Sequence, residues 1–376
     1  MLAIAQTQVF NDDLLLRSDD QRLAASRYPT IAHILDHPEL RALFSTYDEP
    51  ANAAKARSRR WGSAAILLGA LAIIGASGEV LFFYPSAEHQ AAIQILAVLA
   101  SSAGILSVVI GNIGLLFGRS KREWLHQRLL TERLRQFHFQ TFICHIPEIE
   151  ASLGGDDAKD RYRRAREVWF EDFRADVERK LPAMLRSLTH GEEFDVWVHR
   201  DCRPSETVSD SATLRPLFEA YRALRIQHQL RYADFKLRDD HRILSDAPDR
   251  QRQIFEAVAG SCIAVLLFVH VVIALGIIAA TGFSLTPYLY SPPLNVVVIW
   301  IAVVALTVRA FEQGLQPERE TERYLQYRSS ILAIRDRFDA ASSAGDRLRV
   351  MEDMERLAAD EMRNFLVTNH NSRFVM

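Results

Sequence analysis

Residues 61–118 read WGSAAILLGALAIIGASGEVLFFYPSAEHQAAIQILAVLASSAGILSVVIGNIGLLFG and contain no Lys or Arg. A second stretch, residues 253–308, also lacks both. Each stretch holds two long apolar runs, and about 20 residues of helix, at roughly 1.5 Å per residue, cross the ~30 Å hydrocarbon core of a bilayer. The sequence therefore predicts four transmembrane helices. The runs are Gly62–Tyr84, Ala91–Phe117, Glu256–Thr281 and Leu294–Phe311.

Basic residues flank each of these two stretches at its beginning and at its end. Lys55–Arg60 precede the first run, Arg119–Arg122 follow the second, Arg250 and Arg252 precede the third, and Arg309 follows the fourth. The connections inside each pair of runs contain no Lys or Arg. Because cytoplasmic flanks carry an excess of Lys and Arg, we expect both termini and the central segment to lie in the cytoplasm.

The remaining sequence has helical composition and little strand signal, with a helix break expected at Pro317. The triplet Thr131-Glu132-Arg133 recurs as Thr321-Glu322-Arg323, which predicts an internal duplication. We therefore expect an all-α integral membrane protein with two transmembrane hairpins and long helical cytoplasmic extensions. The predicted segments are 1–60 (N-terminal helical region), 61–117 (hairpin 1), 118–255 (cytoplasmic helical region), 256–311 (hairpin 2) and 312–376 (C-terminal helices).

Composition and motifs exclude several classes of protein. The 376 residues carry 45 Lys+Arg against 47 Asp+Glu, so the chain is not a generally basic nucleic-acid-binding protein. Cys144, Cys202 and Cys262 lie far apart, which argues against a disulfide framework and a four-cysteine zinc site. His33 and His37 have the spacing of a helical metal pair but lack an evident third ligand. With no nucleotide-binding or hydrolase motif, we expect no enzymatic activity, cofactor or metal site.

Small residues recur every three or four positions in the first two runs. They are Gly62, Ala65, Gly69, Ala72 and Ala76 in the first, and Ala97, Ala100, Gly104, Ser107, Gly111, Gly114 and Gly118 in the second. Such stripes either pack helices closely in lipid or line a pore in an oligomer. Polar residues within spans usually face protein or water. The candidate pore-lining residues are Glu79, Gln94, Gly104, Ser107, Gly111, Asn112 and His270.

Basic residues with interleaved aromatics cluster in two segments outside the spans. Arginine binds phosphates through paired hydrogen bonds, which favours an anionic or nucleotide ligand. The alternatives are a solvated helix face with ion pairs one turn apart, or contact with anionic lipid headgroups. The candidate ligand-binding residues are Arg161, Arg163, Arg164, Arg166, Arg222, Arg225, His228 and Arg231.

Three segments resemble the SLATT class of bacterial membrane proteins and the related SMODS-associated transmembrane effectors. They are KARSRRWGSAAILLG (55–69), REWLHQRLLTERLRQF (122–137) and MEDMERLAADEMRNFL (351–366). The resemblance implies a pore-forming effector of anti-phage defence in the bacterial inner membrane. It also implies a nucleotide or oligonucleotide signal made by a partner nucleotidyltransferase. The second hairpin and the long cytoplasmic insert depart from the simplest pattern of this class.

The favoured function is a gated pore formed by a homo-oligomer, with a tetramer expected, that disrupts the host membrane when activated. Lipids and further copies of the chain are the expected partners. One alternative is a scaffold or sensor that conducts nothing and recruits a partner through residues 118–255. Another is an ordinary ion channel or transporter.

Overall fold

A computed structural model describes residues 10–82, 87–116, 118–190, 195–199, 202, 212–240, 247–279 and 292–371. Within these ranges the regular elements are helical and no strand occurs. The α-helices are α1 (Ser18–Arg27), α2 (Ala32–Leu35), α3 (Pro38–Gly78), α4 (Ala87–Leu116), α5 (Gly118–Cys144), α6 (Ile146–Ser152), α7 (Asp156–His190), α8 (Arg215–Tyr221), α9 (Gln227–Lys236), α10 (Pro248–Ala279), α11 (Pro292–Leu315), α12 (Pro317–Ala340) and α13 (Ala344–Asn371). Short 3₁₀ turns at Asp12–Leu14, Glu79–Phe82 and Ala212–Leu214 and a π-helical turn at Arg222–Ile226 complete the elements.

Four helices are long and apolar enough to cross a membrane, and their apolar segments lie in α3, α4, α10 and α11. At most 11% of the residues in each apolar window are buried. Large side chains such as Leu71, Val98, Phe268 and Leu306 are therefore exposed on these helices. Soluble proteins rarely expose contiguous apolar surface of this kind, whereas lipid requires it. The chain is an all-α membrane protein; the pairing of spans and the duplication stay predictions.

The predicted break at Pro317 is confirmed, since α11 ends at Leu315 and α12 begins at Pro317. Gln316 between them has a positive φ of 47°. Proline has no backbone N–H and suits the first turn of a helix, so it ends one helix and starts the next. The connections between the paired spans, residues 83–86 and 280–291, lie outside the described residues.

The chain divides into two compact units. The membrane unit comprises residues 54–121, 239–321 and 372–376 and contains the four apolar helices. The second, which we call the polar unit, comprises residues 1–53, 122–238 and 322–371. The polar unit is thus built from three stretches that the apolar helices separate in sequence.

Helix α5 forms the centre of the polar unit. Phe137, Phe139 and Phe142 are buried, as are the intervening polar residues His138 and Gln140. A helix buried on all sides needs partners for its polar groups, because an unpaired buried polar group costs about 1–3 kcal/mol. Gln140 meets this need with the segment 195–199: its amide donates to the carbonyl of Val196 (3.0 Å), and its Oε1 accepts from the backbone N–H of Val198 (2.8 Å).

Two buried ion pairs join the three stretches of the polar unit. Arg135 on α5 donates through Nε to Asp13 Oδ2 at 2.6 Å, which links the central and N-terminal stretches. Arg225 donates to both carboxylate oxygens of Glu355 on α13, at 2.8 and 2.9 Å, which links the central and C-terminal stretches. The Tyr221 hydroxyl donates to the same carboxylate at 2.9 Å. All of these groups are buried, so the pairs are sensitive to loss of either partner.

Candidate functional site

The small residues of α3 and α4 face each other within one chain. Ser107 Oγ donates a hydrogen bond to the carbonyl of Ala65 at 2.8 Å. A Cβ added to Gly104 would lie 3.5 Å from Cβ of Ala72, and one added to Gly69 would lie 3.1 Å from Ser107 Oγ. These contacts are close helix packing, the first of the two explanations for the stripes. The pore-lining role of Gly104 and Ser107 stays a prediction.

Helices α3 and α4 approach each other most closely at Gly75, so a larger side chain at this position is expected to lower stability. A Cβ on Gly75 would meet Cβ of Ala100 at 2.9 Å, whereas no described atom lies within 4 Å of a Cβ on Gly111. Gly75→Leu is therefore expected to separate α3 from α4 and lower stability by about 1–3 kcal/mol, the usual effect of overpacking. Gly111→Leu is the matched control on α4. Thermal unfolding in detergent should show a lower midpoint for Gly75→Leu alone; equal midpoints would contradict the packing contact.

Polar candidates on the apolar helices lie mostly at the surface of the membrane unit. Gln94 and His270 are exposed, Gly111 is exposed, and Glu79 is half-buried. The side chain of Asn112 lies outside the described part of the chain. His270 Nδ1 is 2.7 Å from the carbonyl of Leu266, so a proton on Nδ1 would satisfy that nitrogen within the helix. Among the candidates whose side chains are described, Ser107 and His270 form hydrogen bonds to backbone carbonyls and not to another candidate, and the pore-lining role of the set stays a prediction.

A polar contact that the sequence does not indicate joins α11 to α3. The indole N–H of Trp300 donates to the carbonyl of Ile74 at 3.1 Å and to Ser77 Oγ at 3.0 Å. Its ring also lies 3.6 Å from where a Cβ of Gly78 would be. The hydroxyl of Ser77 in turn donates to the carbonyl of Ile73 at 2.8 Å. This network links α11 to α3 within the membrane unit and pairs polar groups that would be costly to leave unpaired in lipid.

The basic candidates on α7 have different surroundings. Arg166 is buried, and its Nη1 donates to the carbonyls of His33 (3.1 Å) and Ile34 (3.3 Å). Arg163 is exposed and pairs with Asp160 at 2.8 Å. Arg161 and Arg164 are exposed. Arg166 therefore has a packing role, since it satisfies the carbonyls of α2, while the other three lie on a solvated helix face.

The candidates after residue 221 are engaged with carboxylates. Arg222 holds Asp339 with two hydrogen bonds of 2.6 Å, and Arg225 holds Glu355 as described above. His228 Nδ1 lies 2.9 Å from Asp12 Oδ1, and Arg231 reaches Asp12 Oδ2 at 2.8 Å. These contacts occupy groups that an anionic ligand would need. A ligand-binding role for either arginine cluster stays a prediction.

Cys144 and Cys202 form a disulfide, which cysteine spacing does not indicate. The bond ties the end of α5 to the segment that carries His199. His145 lies 3.2 Å from His199, Nε2 to Nδ1, and its ring stacks on Trp169 with centroids 3.5 Å apart. Residues near the end of α5 are thus brought together with a segment more than fifty residues further along the chain. Cys262 on α10 is free.

Several buried histidines of the polar unit have strongly lowered pKa values. Burial lowers the pKa of His138 to about 3, with Arg166 contributing, and it lowers that of His199 to about 3, with His145 contributing. Burial and the Arg166 guanidinium lower the pKa of His37 to about 2. These imidazoles are neutral at pH 7 and serve as packing groups. Among the described residues no group of three or more His, Cys, Asp or Glu is placed to hold a metal ion.

No family model, curated protein or solved structure matches the chain.

Proposed function

We propose that the chain forms a homo-oligomeric pore in the bacterial inner membrane, gated through its polar unit. The four apolar helices supply the membrane-embedded part. The sequence resemblance to membrane effectors supports a role in anti-phage defence, in which opening of the pore disrupts the host membrane. A nucleotide or oligonucleotide from a partner nucleotidyltransferase is the proposed signal.

Contacts within the polar unit support the placement of both termini and the central segment on the same side of the membrane. Asp13, from the N-terminal stretch, pairs with Arg135, and Glu355, from the C-terminal stretch, pairs with Arg225. Segments in contact must lie on the same side of a bilayer. The absence of Lys and Arg from the opposite connections favours the cytoplasm for that side.

The main observation in support of an oligomeric pore is that the side chain of His270 on α10 is exposed. It lies in an apolar segment of mean hydropathy 2.7, with the exposed Leu267, Phe268 and Val271 beside it. Ionisable side chains within membrane helices almost always face the bundle interior or a water-filled cavity. One chain leaves His270 at its surface, so further copies are needed to cover it or to enclose water around it.

Replacing His270 tests the proposed pore. His270→Leu is expected to reduce ion flux by tenfold or more in liposomes, or to weaken crosslinking of the oligomer, because it removes the only polar group of that surface between Leu266 and Leu275. Phe268→Leu, which changes one apolar side chain for another on the same helix, is the matched control. Ion flux should be recorded with and without nucleotides, from protein whose oligomeric state has been determined by crosslinking.

Two results would reject the pore. A crosslinked sample that contains only monomer would remove the oligomer, and an oligomer without flux under any condition would favour the scaffold. Constitutive flux that no ligand changes, with no toxicity on expression, would favour an ordinary channel. A loss of phage protection on inactivating the chain in its host would support the defence role.

A further inference from the structure

The polar unit contains a cavity of about 780 Å³ away from the predicted arginine clusters. Its apolar wall is formed by Leu125 of α5 and Pro182 and Leu185 of α7. Pockets for small ligands fall between about 300 and 1,000 Å³ and combine apolar walls with a few polar groups. The cavity is therefore large enough for a nucleotide or for a lipid headgroup with part of its acyl chains.

The polar groups at this cavity favour an anion. Arg122 and Arg186 supply two guanidinium groups, against the single carboxylate of Glu123. Burial lowers the pKa of His126, which leaves it neutral at pH 7 with one ring N–H to donate. Arg186 Nε donates to the carbonyl of Pro182 at 3.3 Å, which orients its side chain beside the apolar wall. Paired guanidinium donors suit the tetrahedral oxygens of a phosphate group.

All three stretches of the polar unit contribute to the cavity. Tyr47 comes from α3, Arg122 and His126 from α5, Arg186 from α7, and His370 from α13. Helix α3 continues along the chain into its apolar half, and the described part of α5 begins two residues after α4 ends. A ligand in this cavity would hold together the segments that lead directly into two apolar helices. A ligand at this position shifts the balance between two arrangements of those helices to the extent that it binds one of them more tightly.

We propose that this cavity binds the phosphate group of a ligand with an apolar body, between Arg122 and Arg186. The ligand is either a soluble nucleotide or an anionic phospholipid, which share this chemistry. Its further role, as the site at which the ligand gates the membrane unit, rests on the proposed pore, whereas the binding itself does not.

The test measures binding by the full chain in nanodiscs, without using flux. In the first arm, AMP or inorganic phosphate is titrated into protein in phosphatidylcholine nanodiscs, and the thermal midpoint and heat of binding are recorded. In the second arm, the nanodiscs contain phosphatidylglycerol, and lipid retained by the protein is identified by native mass spectrometry. The variant is Arg122→Gln with Arg186→Gln. The matched control is Arg174→Gln with Arg179→Gln, two exposed arginines of α7 that do not line the cavity.

One arm is expected to show binding that the double variant weakens at least tenfold and the control leaves unchanged. A response to AMP identifies a nucleotide, and retention of phosphatidylglycerol identifies a lipid. Leu185→Trp keeps both arginines but fills the cavity, so it should also abolish binding. This variant shows whether the ligand enters the cavity, because the loss of two positive charges could by itself weaken the binding of an anion. Binding in neither arm, or equal losses in variant and control, would overturn the site. The flux measurement on liposomes separates this site from the proposed pore. Binding by a protein that conducts no ions would support the site and reject the pore, whereas ion flux through a protein that binds neither ligand would support the pore and reject the site.

Discussion

Replacing Glu355 by Gln is expected to destabilise the polar unit by about 3–5 kcal/mol, the usual cost of removing one partner of a buried ion pair. The Arg225 guanidinium would lose its counter-ion while remaining buried against the Phe139 ring, 4.8 Å away. The Tyr221 hydroxyl would lose a charged acceptor as well. Denaturant or thermal unfolding of the purified protein, read by a probe in the polar unit, measures the loss.

The exposed pair of Arg222 and Asp339 offers a matched control. Both side chains are 42% exposed, and an exposed pair contributes only about 0–1 kcal/mol. Asp339→Asn should therefore shift the unfolding midpoint little, although the two hydrogen bonds that Asp339 accepts, both of 2.6 Å, are shorter than the 2.8 and 2.9 Å of the buried pair. If the two variants were equally stable, the buried pair would not link α13 to the central stretch as the structure has it.

Acid is expected to destabilise the polar unit between pH 6.5 and about 3. The pKa values of His37, His138 and His199 lie at about 2, 3 and 3 in the folded chain, below the ordinary value of 6.5 that applies when unfolded. In this interval the unfolded chain binds more protons, so stability falls as pH falls, by about 1.4 kcal/mol per pH unit for each such histidine. Unfolding curves at pH 7, 6 and 5 measure the slope.

A variant that cannot bind the proton separates this effect from general acid denaturation. His138→Leu places an apolar side chain among the rings of Phe139 and Phe142, which already surround the imidazole. Its stability should depend less steeply on pH than that of the unaltered chain, by the contribution of one histidine. An identical slope in both proteins would show that His138 is protonated in the folded state or accessible to water.

The membrane helices could be predicted from sequence because the evidence for them is local. The absence of Lys and Arg from residues 61–118 and 253–308 needs no knowledge of neighbours. The break at Pro317 has the same character, since it follows from the chemistry of one residue. Close helix packing was one of two explanations for the small stripes, and only the positions of both helices show it; they also reveal a contact of Ala100 with Gly75, which lies outside the predicted stripe.

The interior of the polar unit could not be predicted in this way. Helix α5 carries Arg133, Arg135, Gln136, His138 and Gln140, a composition typical of an exposed helix, yet all five are buried. Their partners are distant in sequence: Asp13 precedes Arg135 by more than a hundred residues, and the backbone carbonyl of Asp195 accepts from Arg133 at 3.0 Å. Periodicity detects a helix with one apolar face, and it fails for a helix surrounded by other helices.

The candidate ligand residues illustrate the same limit. Arginines crowded on a helix look available for a phosphate, but Arg225 is neutralised by a carboxylate 130 residues further along. Conversely, Arg122 and Arg186 belong to ordinary basic segments, and only the fold places them around one cavity. No local signal in the sequence marks the cavity.

The division of the polar unit into three stretches also sets an order of assembly. The ribosome releases Asp13 first and Arg225 much later, and it releases Glu355 only near the end of synthesis. The apolar helices that intervene are synthesised before the last partner appears. Until then the Arg225 guanidinium lacks its carboxylate partner, so the contact that links the central stretch to α13 cannot form in a nascent or truncated chain. A chain that ends before α13 would therefore carry the four apolar helices beside a polar unit that lacks one of its two buried ion pairs, so late truncation removes stability from the polar unit and no apolar helix.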